Sequence, residues 1–321
     1  MILQALNRYY DILESNPESG IAPPRYSLAN VSFALNLTSE GQLISIYPLF
    51  ERVQFGKQIK EMPLRMLVPQ QVIRSGIKPN SNFLCDTSAY VLGISTKDAE
   101  NPQYSAIRFE SFRQRNRELL AKVDCVEALA VIKFLDSFNY LHAREHPVVA
   151  HHLDELLGAT GSCVFKLDGA AGFIHQHDKI RRVWESEGSD AAQVYIGQCL
   201  ITGQVAPIAR LHDKVKGVNN AQSSGASLVS FNERAYESYN RTKGQGLNSP
   251  VSQKAAFAYT TALNYLLSRE NKNPKFTIGD TTVVYWAESQ NPGYAAVFSS
   301  LFGAGYAEND TSEVAPASSS K

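Results

Sequence analysis

The stretch SFALNLTSEGQLISIY, residues Ser32–Tyr47, sets two apolar runs, Ser32–Leu37 and Leu43–Tyr47, on either side of Ser39-Glu40-Gly41. Turn-forming residues between two short apolar runs predict a β-hairpin. Upstream, Leu3, Leu6, Tyr10 and Leu13 recur at helical spacing, and Asn16-Pro17 ends that helix. Downstream, Arg65–Val68 and Phe83–Cys85 read as strands, Ser105–Leu120 and Cys125–Leu141 as helical blocks. Beyond Pro147 come a strand at Cys163–Leu167, a short helix at His177–Trp184, and two strands or one bent strand over Val194–Thr202. The helix Pro250–Leu267 is the clearest element. Ser249 reads as its N-cap and Pro250 as its first residue, with Ala255, Tyr259, Ala262, Leu263 and Leu266 on one face. A last strand covers Thr281–Trp286. Strands interleave with helices without a βαβ rhythm, which predicts an α+β fold of irregular mixed, largely antiparallel sheets with interleaved helices. One domain, 1–303, is expected; a division into two subdomains would fall near 147–160. Residues 304–321 have little to bury and read as a disordered tail or truncated linker.

At 44% hydrophobic and 19% charged, the chain is of globular type, and its 321 residues suffice for a sizeable core. Thirty-one Lys and Arg balance thirty-one Asp and Glu, so whole-chain charge points to neither nucleic acid nor membrane. Cys85, Cys125, Cys163 and Cys199 lie far apart with no C-x-x-C pair, which reads as reduced thiols in a cytoplasmic protein. No run reaches the ~18 apolar residues of a membrane span, and the N-terminus lacks a cationic start.

Several chemistries fail on spacing. Gly244-Gln245-Gly246 lacks a third glycine, and Gly158-Ala159-Thr160-Gly161-Ser162 has no lysine to complete a phosphate loop; both read as turns. Six of the seven histidines fall between His142 and His177. His142 and His146 would share a helix face, and His175 and His177 a strand face beside Asp178. A metal-dependent nuclease could use such groups, and it is the enzymatic alternative. Pro147 directly after His146 and the lack of a His-Glu-x-x-His pattern favour surface histidines near a helix end. No serine sits in a G-x-S-x-G elbow. No catalytic residue, metal or cofactor is expected.

Charge distribution says more. Lys57, Lys60, Arg65, Arg74 and Lys78 face one acid, Glu61, between Lys57 and Lys78. Arg108–Lys122 carries five basic residues against two acidic, and Arg210–Lys254 seven against three. Within the last run Arg210, His212, Lys214 and Lys216 alternate as they would on one strand face. Any one such run is usually just a solvated face, but three of them in a chain of zero net charge suggest segregated basic surfaces, as phosphate binding requires. The last run enters KGVNNAQSSGASLVSFN, Lys216–Asn232, where eight of seventeen side chains are Asn, Gln or Ser. Amides and hydroxyls can bond base edges while basic residues hold phosphates, and Gly217 and Gly225 would let backbone approach a groove. The expected DNA-binding set is Asn219, Asn220, Gln222, Ser223, Ser224, Arg210, Lys214, Lys216, Arg241 and Lys243, with Lys57, Lys60, Arg65, Arg74, Lys78 and Asn82. The plain alternative is a loop whose amides cap neighbouring elements.

Four blocks in order, MILQALNRYYDIL, VPQQVIRSGIKPNSNFLCDTSAYVLG, RLHDKVKGVNNAQSSGASLVSFNERAYESYN with NSPVSQKAAFAYTTALNYLL, and GDTTVVYWAE, resemble the large subunit of the type I-C CRISPR surveillance complex, Cascade. The resemblance implies a non-catalytic subunit that recognises the PAM flank of double-stranded target DNA and helps open the duplex for guide RNA pairing. Pairing reads most of the sequence, and protein reads the flank. The implied partners are the guide RNA ribonucleoprotein with its other Cascade subunits, a recruited helicase–nuclease, and phage anti-CRISPR proteins. It also implies a C-terminal helical region beyond this chain. A structural scaffold, with the polar loop against protein, is the remaining alternative.

Overall fold

The computed structural model describes residues 2–55, 58–72, 74, 78–187, 195–222, 225–231, 233–237, 245–268, 275–289 and 294. Of the expected positions, Lys57, Ser223, Ser224, Arg241, Lys243 and the tail 304–321 lie outside the described residues. The fold is α+β, and the chain divides into two compact units: Arg25–Ala192, and Met1–Pro24 with Gln193–Lys321.

In the unit Arg25–Ala192, strands β1 (Tyr26–Leu37), β2 (Leu43–Pro48), β3 (Phe50–Phe55), β4 (Gln58–Pro69), β5 (Cys85–Asp86) and β6 (Ser162–Leu167) build a mixed sheet. Its order is β3-β4-β1-β6-β5, with β2 also on β1. The expected hairpin is β1–β2, antiparallel, with Leu35 opposite Ile46. β1 starts well before Ser32 because β4 pairs with its first half, Tyr26 opposite Pro69 through Val31 opposite Leu64. β6 runs parallel to β1 on the other side. A register shift between Val31 and Phe33 re-phases the strand. Phe33, Leu35 and Leu37 therefore join the main core, while Val31 and Ala34 join a smaller cluster on Met66, Val68, Cys85 and Val164.

The main core is closed by α2 (Ser88–Val91), α3 (Tyr104–Leu120), α4 (Val126–Ser137) and α7 (Asp178–Ser186), which supply Tyr90, Phe109, Phe112, Phe134, Leu135, Ile180 and Trp184. The helix expected to reach Leu141 stops at Ser137, since Phe138 is extended and a 3-10 segment, Tyr140–Glu145, follows. Next come α5 (Pro147–His151) and α6 (Leu153–Gly158), so the segment 147–160 sits inside this unit. Gly161 is no phosphate-loop glycine: a Cβ there would meet Ser32 Oγ at 2.3 Å, so only glycine lets β6 start this close to β1.

The unit Met1–Pro24 with Gln193–Lys321 has its own core. α1 (Ile2–Glu14) buries Leu6, Tyr9, Tyr10 and Leu13 in one cluster with Ala255, Ala258, Tyr259, Ala262 and Leu266 of α8 (Gln253–Leu267). The expected cap is corrected from Ser249 to Ser252, whose Oγ accepts from Ala255 N at 3.2 Å. Helix cannot begin at Pro250, because Pro250 and Val251 present their carbonyls to Leu200 N and Ala209 N. β7 (Ile196–Gln198) and β8 (Val205–Pro207) form one small hairpin, β9 (Phe276–Ile278) and β10 (Thr281–Val283) another. Among the described residues no helix is long and apolar enough to cross a membrane.

Candidate nucleic-acid interface

The amide-rich loop is braced at its base. Val215 and Ala226 pair as an isolated antiparallel bridge, closing the segment between them. From α8, Asn264 grips that base twice: its Oδ1 accepts from Lys216 N at 2.8 Å, and its Nδ2 donates to Lys214 O at 3.0 Å. The β9–β10 hairpin holds the far side. Thr282 Oγ1 accepts from Asn219 N at 3.0 Å, Asn220 Nδ2 donates to Asp280 Oδ1 at 3.2 Å, and Lys275 Nζ donates to Gly217 O at 2.7 Å. Asn220 holds φ at 57°, a left-handed conformation that Asn tolerates. Lys216, Asn219, Asn220 and Gln222 are all exposed. Among the described residues the side chains of Asn219 and Gln222 have no hydrogen-bond partner, whereas Asn220 is engaged within the protein.

Three expectations for this region change. Residues 210–216 form no strand, so Arg210, His212, Lys214 and Lys216 do not share a strand face. His212 turns inward, 6% exposed, with Nδ1 2.6 Å from Tyr259 Oη, and burial lowers its pKa. Arg210 is exposed and donates to Gln245 Oε1 at 2.8 Å. Gly217 and Gly225 hold φ at +81° and +96°, and a Cβ would stand 3.2 Å from Leu267 O and 2.8 Å from Lys214 Cβ respectively. The loop's own turns require these glycines. Of the functional partners here, Asn264, Thr282 and Lys275 carried no signal in the sequence, because each acts across more than forty residues of chain.

The Lys57–Lys78 run does not make one basic face. Lys60 and Arg65 differ by an odd number of positions on β4 and project from opposite sides. Arg74 is exposed but engaged within the protein: Nη2 pairs with Asp86 Oδ2, Nε donates to Asn80 O at 2.8 Å, and the guanidinium lies 4.2 Å from the Tyr90 ring centroid. Asp86 is fully buried; burial pushes its pKa up, against Arg74 and the backbone N–H groups of Asn82 and Thr87. Asn82 leaves the candidate set as well. It is 3% exposed, its Oδ1 accepts from Val72 N, and its Nδ2 donates to Gln71 Oε1. Lys78 remains exposed. The Arg108–Lys122 run is largely neutralised: Arg113 pairs with Glu110, Arg117 with Asp136 and Lys122 with Glu187, and Arg108 stacks on Tyr104.

The histidines separate too. His142 has non-helical φ and ψ and bonds Glu145, while His146 is extended at the start of α5, so no helix face joins them. His175 and His177 occupy no strand. His175 lies in a 3-10 turn, 3% exposed, its Nε2 donating to Leu67 O at 3.2 Å, and burial pushes its pKa down to about 4. His177 caps α7, its Nδ1 accepting from Lys179 N at 3.3 Å.

Compared with known proteins, residues 6–320 match the family model described as CRISPR-associated protein (Cas_Csd1). No curated protein matches the chain.

Proposed function

The chain belongs to the Cas_Csd1 family of CRISPR-associated proteins, the Cascade large subunits, and from that premise we propose that it recognises the PAM flank of double-stranded target DNA in a type I-C complex. It helps open the duplex for guide RNA pairing and performs no catalysis itself. The observation that carries this reading is the family match, which runs over nearly the whole chain. The loop at Lys216–Gln222 supports it. A recognition loop needs amides that are free to bond bases and a backbone that is not, so that little ordering entropy opposes binding. Asn219 and Gln222 are exposed on a segment closed by the Val215–Ala226 bridge and held through Lys214–Asn220 by Asn264 and the β9–β10 hairpin. Lys216 and Lys275 add positive charge that holds phosphates without reading sequence. Asn220, spent on Asp280, shapes the loop.

Binding of duplexes with correct and incorrect flanks to the assembled complex tests this. Losing a good base contact costs roughly 1–3 kcal/mol, so Asn219→Ala or Gln222→Ala should lower flank discrimination by roughly tenfold or more with the salt dependence unchanged. Lys216→Ala should weaken both duplexes together and reduce the salt slope by ~1. Full discrimination in both folded amide variants would make the loop a scaffold element. Divalent-metal-dependent cutting by the purified chain would end the non-catalytic reading.

A further inference from the structure

The ligand atoms of Cys125, Glu127 and His177 all lie within 4.8 Å of one another, although the chain brings them from two separate segments. Their meeting is built into the fold. Cys125 is the N-cap of α4, its Sγ accepting from Ala128 N at 3.4 Å, and Glu127 stands in that helix's first turn. His177 is the N-cap of α7, with Nε2 3.6 Å from Glu127 Oε2. Lys179, in the first turn of α7, reaches back to donate from Nζ to Asp124 O at 2.8 Å, strapping the two helix starts together. The His177 and Glu127 side chains are 32% and 22% exposed, so solvent reaches the cluster.

We propose that these three side chains form a zinc-class divalent metal site joining the N-termini of α4 and α7. A thiolate sulfur, an imidazole nitrogen and a carboxylate oxygen are the donor types zinc takes, and three protein ligands leave a fourth position for water. Charge balances as well: one thiolate and one carboxylate neutralise a dication. In a tetrahedral site with bonds of about 2.0–2.3 Å, neighbouring donors stand roughly 3.3–3.8 Å apart. The His177–Glu127 separation already falls there, and the Cys125 sulfur lies within 4.8 Å of both partners, to be drawn in as the ion binds. The Ala128 N–H then serves as the outer donor that steadies the thiolate. Binding carries one local cost. Metal on Nε2 leaves the ring proton on Nδ1, which gives up the 3.3 Å cap to Lys179 N. The thiol proton leaves to solvent, so each ion bound releases one proton and affinity falls as the solution is made more acidic. His175, paired with His177 by sequence, has no part in this site.

Titration of the chelator-stripped full chain with cobalt(II), then zinc(II), decides it. We expect one equivalent of cobalt with tetrahedral visible bands and a near-ultraviolet sulfur-to-metal charge-transfer band, displaced by zinc, and a raised thermal midpoint with zinc. Cys125→Ser keeps a good N-cap and should fold, yet it should lose the charge-transfer band and at least roughly tenfold in affinity. Glu127→Gln should weaken binding while retaining that band, and Cys199→Ser should titrate as the native chain does. Absence of a stoichiometric cobalt spectrum in folded native protein, or a Cys125→Ser titration identical to it, overturns the site.

Discussion

Protonating His175 would place a charge where no described residue stands ready to accept it. Its Nε2 donates to Leu67 O, so the proton would enter at Nδ1, which is buried and has no partner among the described residues, with Phe173 stacked on the ring. The folded pKa is about 4 against roughly 6.5 in an unfolded chain. A group depressed on folding contributes fully above its unfolded value, and that contribution is lost as pH falls from about 6.5 towards 4. Over the whole window the loss approaches about 3 kcal/mol. His175→Gln keeps a donor for Leu67 O but cannot titrate. Thermal midpoints recorded between pH 7.5 and 4.5 should therefore fall more steeply for the native chain than for the variant, the curves diverging below pH 6.5. Parallel curves would show that His175 is not protonated on unfolding. The sequence placed His175 beside His177 on a strand because alternate residues share a face there. It could not show the 3-10 turn that turns one ring into the core and the other to a helix cap.

Elements defined by local chemistry were legible, and those defined by a distant partner were not. The β1–β2 hairpin follows from its turn residues and apolar runs, and α1 from its helical spacing. No strand is predicted from the sequence at Phe50–Phe55; it exists because β4 pairs along its length. Ser249 looked like the cap of α8 because Pro250 favours a first helical position, but pairing with Leu200 and Ala209 keeps that segment extended until Ser252. The same helix carries a role that no periodicity reveals. Asn264 holds Lys216 N and Lys214 O together, so α8 sets the shape of a loop far away in sequence. Asn264→Ala removes both bonds, at roughly 0.5–1.5 kcal/mol each. Amide exchange at Val215–Val218 should quicken by roughly tenfold, since each 1.4 kcal/mol is worth that factor, while α8 core amides keep their protection. Flank discrimination in the assembled complex should drop in parallel, although Asn264 itself need touch no DNA. Unchanged exchange at Lys216 would show that the loop holds its shape without α8.

On the scale of the whole chain, the division that matters leaves no mark in composition. Segments Met1–Pro24 and Gln193–Lys321 belong to one unit, with Arg25–Ala192 between them in sequence. From the sequence one domain, 1–303, is expected, with any subdomain boundary near 147–160, a segment that lies inside the unit Arg25–Ala192. The contacts that define the units are long-range: Leu6 and Tyr10 of α1 share a core with Tyr259 and Leu266 of α8. The two units should consequently respond differently to dissection. Every strand pair of the β1–β6 sheet lies within Arg25–Ala192, and so do the main core and the smaller cluster behind it. Such a segment has the self-contained core that independent folding requires. Residues 25–192 expressed alone should give a sigmoidal thermal transition with near-ultraviolet dichroism from the packed aromatics, Phe83 against Trp184 among them. Deleting residues 1–24 from the full chain should instead strip α1 from α8 and expose Tyr259 and Leu266, each truncation-sensitive on the scale of 2–5 kcal/mol. That variant should lose the transition of its own unit while keeping that of 25–192. A fragment 25–192 that melts without cooperativity, retaining helix but no fixed aromatic packing, would mean that its core is completed by residues outside it.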